Sequence, residues 1–524
     1  MSARENKLQM NPENKNIDKK RIAKNTLILY VRMFFLMLVG FYTVRLLLAA
    51  LGVEDYGLYN VIFGLVTAFS FFSGAMQSTV QRFLCYELGL AEGGNTKKVF
   101  SVSVLLFLLV ALSVLLFAET AGLWFVRNRM SVPAEKMGIA LTVYHISVFM
   151  VIFKLLQIPY ISAITSHEDM RIYSYFSIAD AFLHLASVVS LKFIFADRLI
   201  CFVSLYTVSN LVILILYALY CCVRYEMCRT WLKFDCNYLK SMTAFFSWSL
   251  FGAAANIFKQ QGLNLLLNLF YGVVLNATWG IATQVGGAVN QFVSSFQQAF
   301  NPQILKSYSN PDKKPFMELL QSSSKYSFML IWLVSLPVLM QTEFLLKLWL
   351  GNELPEGAVI FTQLMIGYML FEAINGPMWI AVQATGKIRR YQIEISCLSG
   401  SSFVFSYIVL KFGAPALSVA VINLLVNMSA LWYRLFYLRR EIGFPIGTYC
   451  LKTLLPVLTV AVVSSICGIA VRHIFGRSLL HVMISFTVIG ILNLFIILFL
   501  ALTKRERGAV RDYVIQKLCG RKLA

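Results

Sequence analysis

Asp180 and His184 stand four residues apart on a stretch that is otherwise apolar enough to lie inside a membrane. That spacing puts a carboxylate and an imidazole on one helical face, where they can exchange a proton and serve as ion-coupling groups. A structural ion pair between Asp180 and Lys154 accounts for the same carboxylate equally well. Glu372, the other acid deep in an apolar run, comes just before Asn375-Gly376-Pro377, where the proline frees backbone carbonyls and can break a helix. Broken membrane helices are places where transporters bind ions or substrate, so Glu372 joins the coupling candidates; a simple proline kink is the plainer alternative.

The cations point to a different chemistry. Arg32, Arg45, Lys154 and Lys259 lie within apolar runs, and Arg82 closes a run beside Gln77 and Gln81. A charged side chain at membrane depth is costly unless it meets a partner or a wet cavity, and bases gathered there suit a phosphate-bearing ligand. Arg32 and Arg45 are separated by about 20 Å along a helix and about 220° around it, so a straight helix does not aim both at one spot. Either Gly40 bends the helix, or one arginine serves a cavity while the other snorkels to an interface, a role that suits Arg32 near its helix end.

The densest polar set surrounds Lys259. Asn256, Gln260, Asn264 and Asn268 recur every four residues, with Gln261 beside them, and Gln284, Gln291 and Gln298 recur every seven, accompanied by Asn290, Gln297 and Asn301. Two amide ladders of this kind form the wall of a hydrogen-bonding, water-filled cavity, or else glue helices to one another. The substrate-cavity set is therefore Arg32, Arg45, Arg82, Lys154, Asn256, Lys259, Gln260, Asn264 and Gln291.

The elements that carry these groups are membrane spans. The chain has 524 residues, 58% of them apolar and 14% charged, with a mean hydropathy of +0.71. A bilayer core about 30 Å thick takes about 20 apolar residues per helix, and such runs follow one another here. They are continuous rather than alternating, which excludes a β-barrel. The fold class expected is an all-α integral membrane protein with about fourteen spans, near 26–50, 57–80, 99–126, 138–162, 172–196, 199–223, 241–270, 272–300, 325–350, 358–384, 391–411, 415–438, 449–472 and 478–502. The corresponding organisation is a basic tail (1–24), a six-helix bundle (25–225), a linker (226–240), a second six-helix bundle (241–440), two extra helices (441–503) and a basic tail (504–524).

A net charge of +21 would suggest nucleic acid in a soluble protein. Here most lysines and arginines fall in the tails and in alternate breaks, richest at 224–240, 306–325, 387–390 and 439–440, while Glu54-Asp55 and Glu353-Glu356 mark the opposite side. That asymmetry places both termini in the cytoplasm and explains the charge without nucleic acid. No cleavable signal peptide is visible, so the first span is expected to remain as an anchor. The Cys221, Cys222, Cys228 and Cys236 cluster matches no zinc spacing. No Walker A sequence or catalytic constellation occurs, so neither an enzyme, a metal nor a bound cofactor is expected.

The chain also resembles itself at an offset near 220 residues. Leu51-Gly52 and Tyr56-Gly57 answer to Tyr271-Gly272 and Trp279-Gly280. In the segments 158–175 and 376–393, Pro159 meets Pro377, Ala163 meets Ala381, Arg171 meets Arg389 and Tyr173 meets Tyr391. Six spans per unit give two parallel repeats, a transporter architecture with the substrate between halves that rock in alternating access. The last two spans lie outside the duplication.

Several stretches carry a family resemblance: KKRIAKNTLILYVRMFF, LLLAALGVEDYGLYNVIFGLV, STVQRFLCYELG with NTKKVFS, NLFYGVVLNATWGIATQVGGAVNQF, and FNPQI. Together they resemble the polysaccharide-transporter (Wzx-like) branch of the multidrug, oligosaccharidyl-lipid and polysaccharide (MOP) exporter superfamily. The resemblance implies a V of two six-helix bundles, often with two additional helices, in a bacterial inner membrane. It implies a flippase that moves a polyprenyl-diphosphate-linked oligosaccharide from the cytoplasmic to the outer leaflet for O-antigen or capsule assembly, with a proton or sodium gradient resetting the carrier. Implied partners are that lipid-linked oligosaccharide, membrane lipids, and the polysaccharide polymerase and glycosyltransferases of the same pathway. Arg32, Arg45 and Lys259 are the counterparts, by helix, of a cationic central cavity. The alternative on the same fold is an ion-coupled multidrug (MATE-type) exporter of cations, which would call for an acidic cavity; here embedded bases outnumber embedded acids.

Overall fold

The computed structural model describes residues 19–67, 71–90, 94–128, 134–193, 197–229, 235–351, 354–474, 479–501 and 507–508. Most of the two basic tails, and Glu353, lie outside the described residues. In chain order the helices are α1 (Lys19–Thr67), α2 (Phe71–Gly89), α3 (Thr96–Phe117), α4 (Leu123–Asn128), α5 (Met137–Ser166), α6 (Met170–Ser190), α7 (Arg198–Arg224) and α8 (Cys236–Tyr308). There follow α9 (Lys314–Met340), α10 (Thr342–Leu350), α11 (Ala358–Thr385), α12 (Ile388–Lys411), α13 (Leu417–Ile442), α14 (Ile446–Tyr449), α15 (Leu455–Ile474) and α16 (Leu479–Ile496).

Among the described residues, 11 stretches are long and apolar enough to cross a membrane, which makes this a multi-pass membrane protein. The expected spans absent from that set are 57–80, 241–270 and 272–300. The first is divided between the end of α1 and the start of α2; the other two form α8, whose amide ladders dilute its hydropathy. The expected span 325–350 is corrected: α9 begins at Lys314 and ends at Met340, and α10 is a separate short helix. Lys325, expected at the edge of a basic break, is buried inside α9 and donates to the Ala501 carbonyl at 3.3 Å. Lys192, expected inside a span, is exposed in the turn that ends α6.

The duplication recurs in the backbone. Gly52 breaks α1 at φ 78°, ψ 174°, and Gly272 breaks α8 at φ 76°, ψ −169°, a region open essentially to glycine alone. The α5–α6 turn has Glu168 at φ 61°, and the matching α11–α12 turn has Gly386 at φ 75°. Pro159 and Pro377 both sit inside continuous helices. Of the two alternatives at Pro377, a break or a simple kink, the break does not occur: Asn375, just before it, is buried and donates to Asn427 Oδ1 at 2.9 Å, tying α11 to α13.

Two compact units emerge. The first comprises residues 1–254 with 298–313 and 383–392; the second comprises 255–297, 314–382 and 393–524. In the first, α5 packs on α2, α3 and α7, and α1 lies along α6. Buried Ser147, Ser162, Ala163 and Ser166 keep α5 slender enough for close approach. In the second, Leu263, Leu267, Trp279, Phe361, Met365 and Val419 form a shared core of α8, α11 and α13. The helices beyond the duplication dock on α9: Trp332 donates to Ser464 at 2.7 Å, and Asn493 donates to the Trp332 carbonyl at 3.1 Å.

Candidate functional site

Inside the first unit a cavity of about 350 Å³ opens between α1, α5, α6 and α7. Two helices line it in the same rhythm: Arg32, Leu36, Val39, Gly40 and Thr43 from α1, and Tyr173, Ser177, Asp180, Ala181 and His184 from α6. Steps of four, three, one and three residues keep each set on one face. The small residues in the middle, Gly40 and Ala181, leave the volume open. Gln157 from α5 and Tyr217 from α7 complete the polar lining.

Arg32 donates to the Tyr173 hydroxyl at 3.1 Å, with its guanidinium 4.4 Å from the centre of that ring. The interface role expected of Arg32 does not fit this placement: Arg32 faces the cavity, while Arg45 is exposed and outside it. The helix is continuous through Gly40 and breaks only at Gly52, so the roughly 220° between the two arginines is preserved.

Asp180 and His184 share the cavity, as their spacing predicts. Asp180 Oδ1 and His184 Nε2 are both buried and have no hydrogen-bond partner among the described residues. His184 stacks on Tyr206, with centroids 4.1 Å apart and planes inclined by 18°. Tyr206 in turn accepts a hydrogen bond from Lys154 Nζ at 3.1 Å. Lys154 thus rests on a phenol rather than in an ion pair with Asp180, although the two charges are near enough to feel one another. An open carboxylate and an open imidazole can take up a proton or a cation, and the arginine opposite can hold an anion.

The second unit repeats the motif with other residues. Lys259, 8% exposed, donates to the Tyr368 hydroxyl at 3.2 Å with its ammonium 5.2 Å from the ring centre. Glu372, one turn along α11, is within electrostatic reach but forms no ion pair with it. Tyr368 is fixed from behind, since Asn427 donates to its carbonyl at 3.1 Å. The tyrosine partners Tyr173, Tyr206 and Tyr368 are site contacts that the sequence reading missed. The detectable signal was a tyrosine on the cavity-facing stripe of a span, as with Tyr173 on the α6 face of Asp180 and His184.

The amides occupy a face of α8 that begins about 60° from Lys259. At 100° per residue, Asn256, Gln260 and Asn264 cover an arc of about 80°, with Gln261 and Asn268 extending it to about 140°. Phe258, Leu265 and Leu269, all well exposed, cluster around about 200°. Asn256, Gln260, Gln261 and Asn268 are exposed and Asn264 partly so; Gln284, Asn290 and Gln291 further along are exposed too. None of these amides hydrogen-bonds to another helix among the described residues, so here they are not glue. Gln297 is: it donates to the Ala373 carbonyl at 3.0 Å.

Arg82, expected to close its helix, lies inside α2, which runs on to Gly89, and does not line the cavity of Arg32. Its guanidinium donates to the Gln383 carbonyl at 3.2 Å and stacks over Phe83 at 4.5 Å and Phe245 at 5.4 Å. It also fills the space where a side chain on Gly386 would stand. The repeat-related turn is held differently. The Glu168 carboxylate accepts from Lys306 at 2.8 Å and Gln303 at 3.0 Å, with Arg21 at 3.5 Å. Burial pushes the Glu168 carboxyl up, but Lys306, Gln303 and Arg21 together hold it below its ordinary value. Burial pushes the neighbouring His167 imidazole down, and Lys306 and Arg21 add to that.

No family model and no curated protein sequence matches the chain. Solved structures do. A MATE transporter in a bent conformation superposes with TM-score 0.69 at 13% identity, over 83% of this chain and 98% of that one. An outward-facing multidrug resistance MATE family transporter of the MOP superfamily gives 0.67 at 12% identity, over 80% and 96%. A MOP superfamily transporter from Pyrococcus furiosus, described as having a binding pocket of reversed polarity that suggests a different function, gives 0.62 at 12% identity, over 80% and 96%. The chain therefore has the fold of MATE and MOP-superfamily transporters.

Proposed function

We propose that this chain is a transporter of the polysaccharide branch of that fold, moving a polyprenyl-diphosphate-linked oligosaccharide across a bacterial inner membrane by alternating access. The observation that carries the reading is how the membrane-embedded cations are held. Arg32, Lys154 and Lys259 rest on the hydroxyls and rings of Tyr173, Tyr206 and Tyr368, with no carboxylate ion pair among the described residues. A neutral partner orients a cation and lowers its cost of burial without cancelling its charge, which leaves that charge for a diphosphate or an acidic sugar. The exposed amides of α8 add the donors and acceptors that hexose hydroxyls need. Asp180 and His184 are the coupling groups in this reading: a proton on either makes the cavity more positive and favours an anion.

A second reading is supported by the unpartnered Asp180 Oδ1, which would also attract an organic cation and so fits an ion-coupled drug exporter. Purified protein in liposomes, with a polyprenyl-diphosphate oligosaccharide in one leaflet, separates the two. Appearance of the glycan in the other leaflet, detected with an impermeant glycan-modifying reagent, is the expected result. Transport of a cationic dye with no glycan transfer would replace the flippase with the exporter.

A further inference from the structure

A second cavity of the first unit, about 520 Å³, opens where the start of α1, the α5–α6 turn and the end of α7 meet. Much of its floor is paired internally, the buried Tyr225 hydroxyl excepted. Arg21 donates to the His167 carbonyl at 2.6 Å, Asn25 to the Glu168 carbonyl at 3.2 Å, and Tyr220 to Asp169 Oδ2 at 2.8 Å. His167 stacks on Tyr225 at 4.2 Å. Both acids of the pocket are thereby committed to protein partners, Glu168 to Lys306 and Asp169 to Tyr220. The rim is not. Lys24, Arg171 and Arg224, one from each helix, are exposed and have no hydrogen bond or ion pair among the described residues.

Exposed apolar side chains lie close to each rim cation along its own helix. Leu27 and Val31 follow Lys24 on α1, Tyr175 follows Arg171 on α6, and Leu219 and Val223 precede Arg224 on α7. Three cations at one end of the spans, with exposed apolar side chains nearby on the same three helices, match an amphiphile with an anionic head and hydrocarbon tails. We propose that this pocket binds the phosphate of an anionic membrane lipid, with Lys24, Arg171 and Arg224 around the head group and the acyl chains along α1, α6 and α7. The site is separate from the cavity of Arg32 and Asp180 and does not depend on which substrate that cavity serves.

The test uses the purified full chain in detergent, titrated with phosphatidylglycerol or phosphatidylcholine and read by native mass spectrometry. Phosphatidylglycerol should bind saturably and phosphatidylcholine weakly. The triple variant K24Q/R171Q/R224Q should lose about 100-fold in affinity, since each cation near a membrane surface is worth about fivefold. R439Q/R440Q, which removes two basic residues at the end of α13, should bind as the parent does. Equal affinity for the two lipids, or an equal loss in both variants, would overturn the proposal by reducing the effect to general surface charge. A third titration, with undecaprenyl diphosphate, separates the sources of the phosphate. Binding that the triple variant loses for both anionic lipids supports a site for lipid phosphate in general, whereas loss for undecaprenyl diphosphate alone overturns the phospholipid.

Discussion

Replacing Lys306 by methionine should reverse the acid response of the α5–α6 turn. Glu168 has a side chain only 7% exposed, at a backbone φ of 61°, a conformation that costs a non-glycine residue about 1–2 kcal/mol. Its ion pair with Lys306 at 2.8 Å is what makes an ionised carboxylate tolerable there. Breaking a fully buried pair costs about 3–5 kcal/mol. The Lys306 side chain is 24% exposed and Arg21, at 46%, remains nearby, so solvent screening reduces the expectation to about 1–3 kcal/mol.

The pH dependence gives the sharper result. In the parent, Glu168 ionises below its ordinary value of 4.5, so its contribution is fully present above that pH and is lost as acid protonates the folded state. Without Lys306, the effect of burial prevails and the folded-state pKa rises above the ordinary value. The carboxylate then destabilises the fold at neutral pH, and acidification relieves it. Thermal unfolding in detergent, followed from pH 7 to pH 3, should show a midpoint in the parent that falls below about pH 4.5, a flatter one in E168Q, and a midpoint in K306M that rises relative to both. Parallel curves for the parent and K306M would refute the reasoning.

Tyr206→Phe and Tyr368→Phe each remove a charge-assisted hydrogen bond worth about 1.5–3 kcal/mol; both should slow glycan transfer in liposomes, and unchanged transfer in the double variant would remove the phenol-held lysines from the mechanism. Asp180→Asn should leave ligand binding intact while making turnover insensitive to an imposed proton gradient, as measured by transfer rates with and without an ionophore. Gly386→Ala should be more damaging than Gly52→Ala. Both face positive φ, but an alanine Cβ at 386 would lie 2.4 Å from Arg82 Nη2, whereas nothing lies within 4 Å at 52; expression and thermal midpoints of the two variants decide it.

The amino-acid sequence alone was enough to read the membrane spans, because hydropathy is a local property and about 20 apolar residues have one stable arrangement in lipid. It paired Gly52 with Gly272, and both have a positive φ with extended ψ, a conformation that selects glycine. It placed Asp180 and His184 together because their pairing lies within one helical turn. Contacts between distant elements were decided only by the tertiary structure. That Arg32 faces Tyr173, 141 residues away, Lys259 faces Tyr368, and Lys306 serves Glu168 follows from which helices pack and how each is rotated. A single sequence carries no record of rotation when polar groups surround a helix, as on α8, where amides and leucines are both exposed. The same reason separated Arg45 from the cavity of Arg32 and left Arg82 holding a turn: their charge was legible in the sequence, but the direction of their side chains was not.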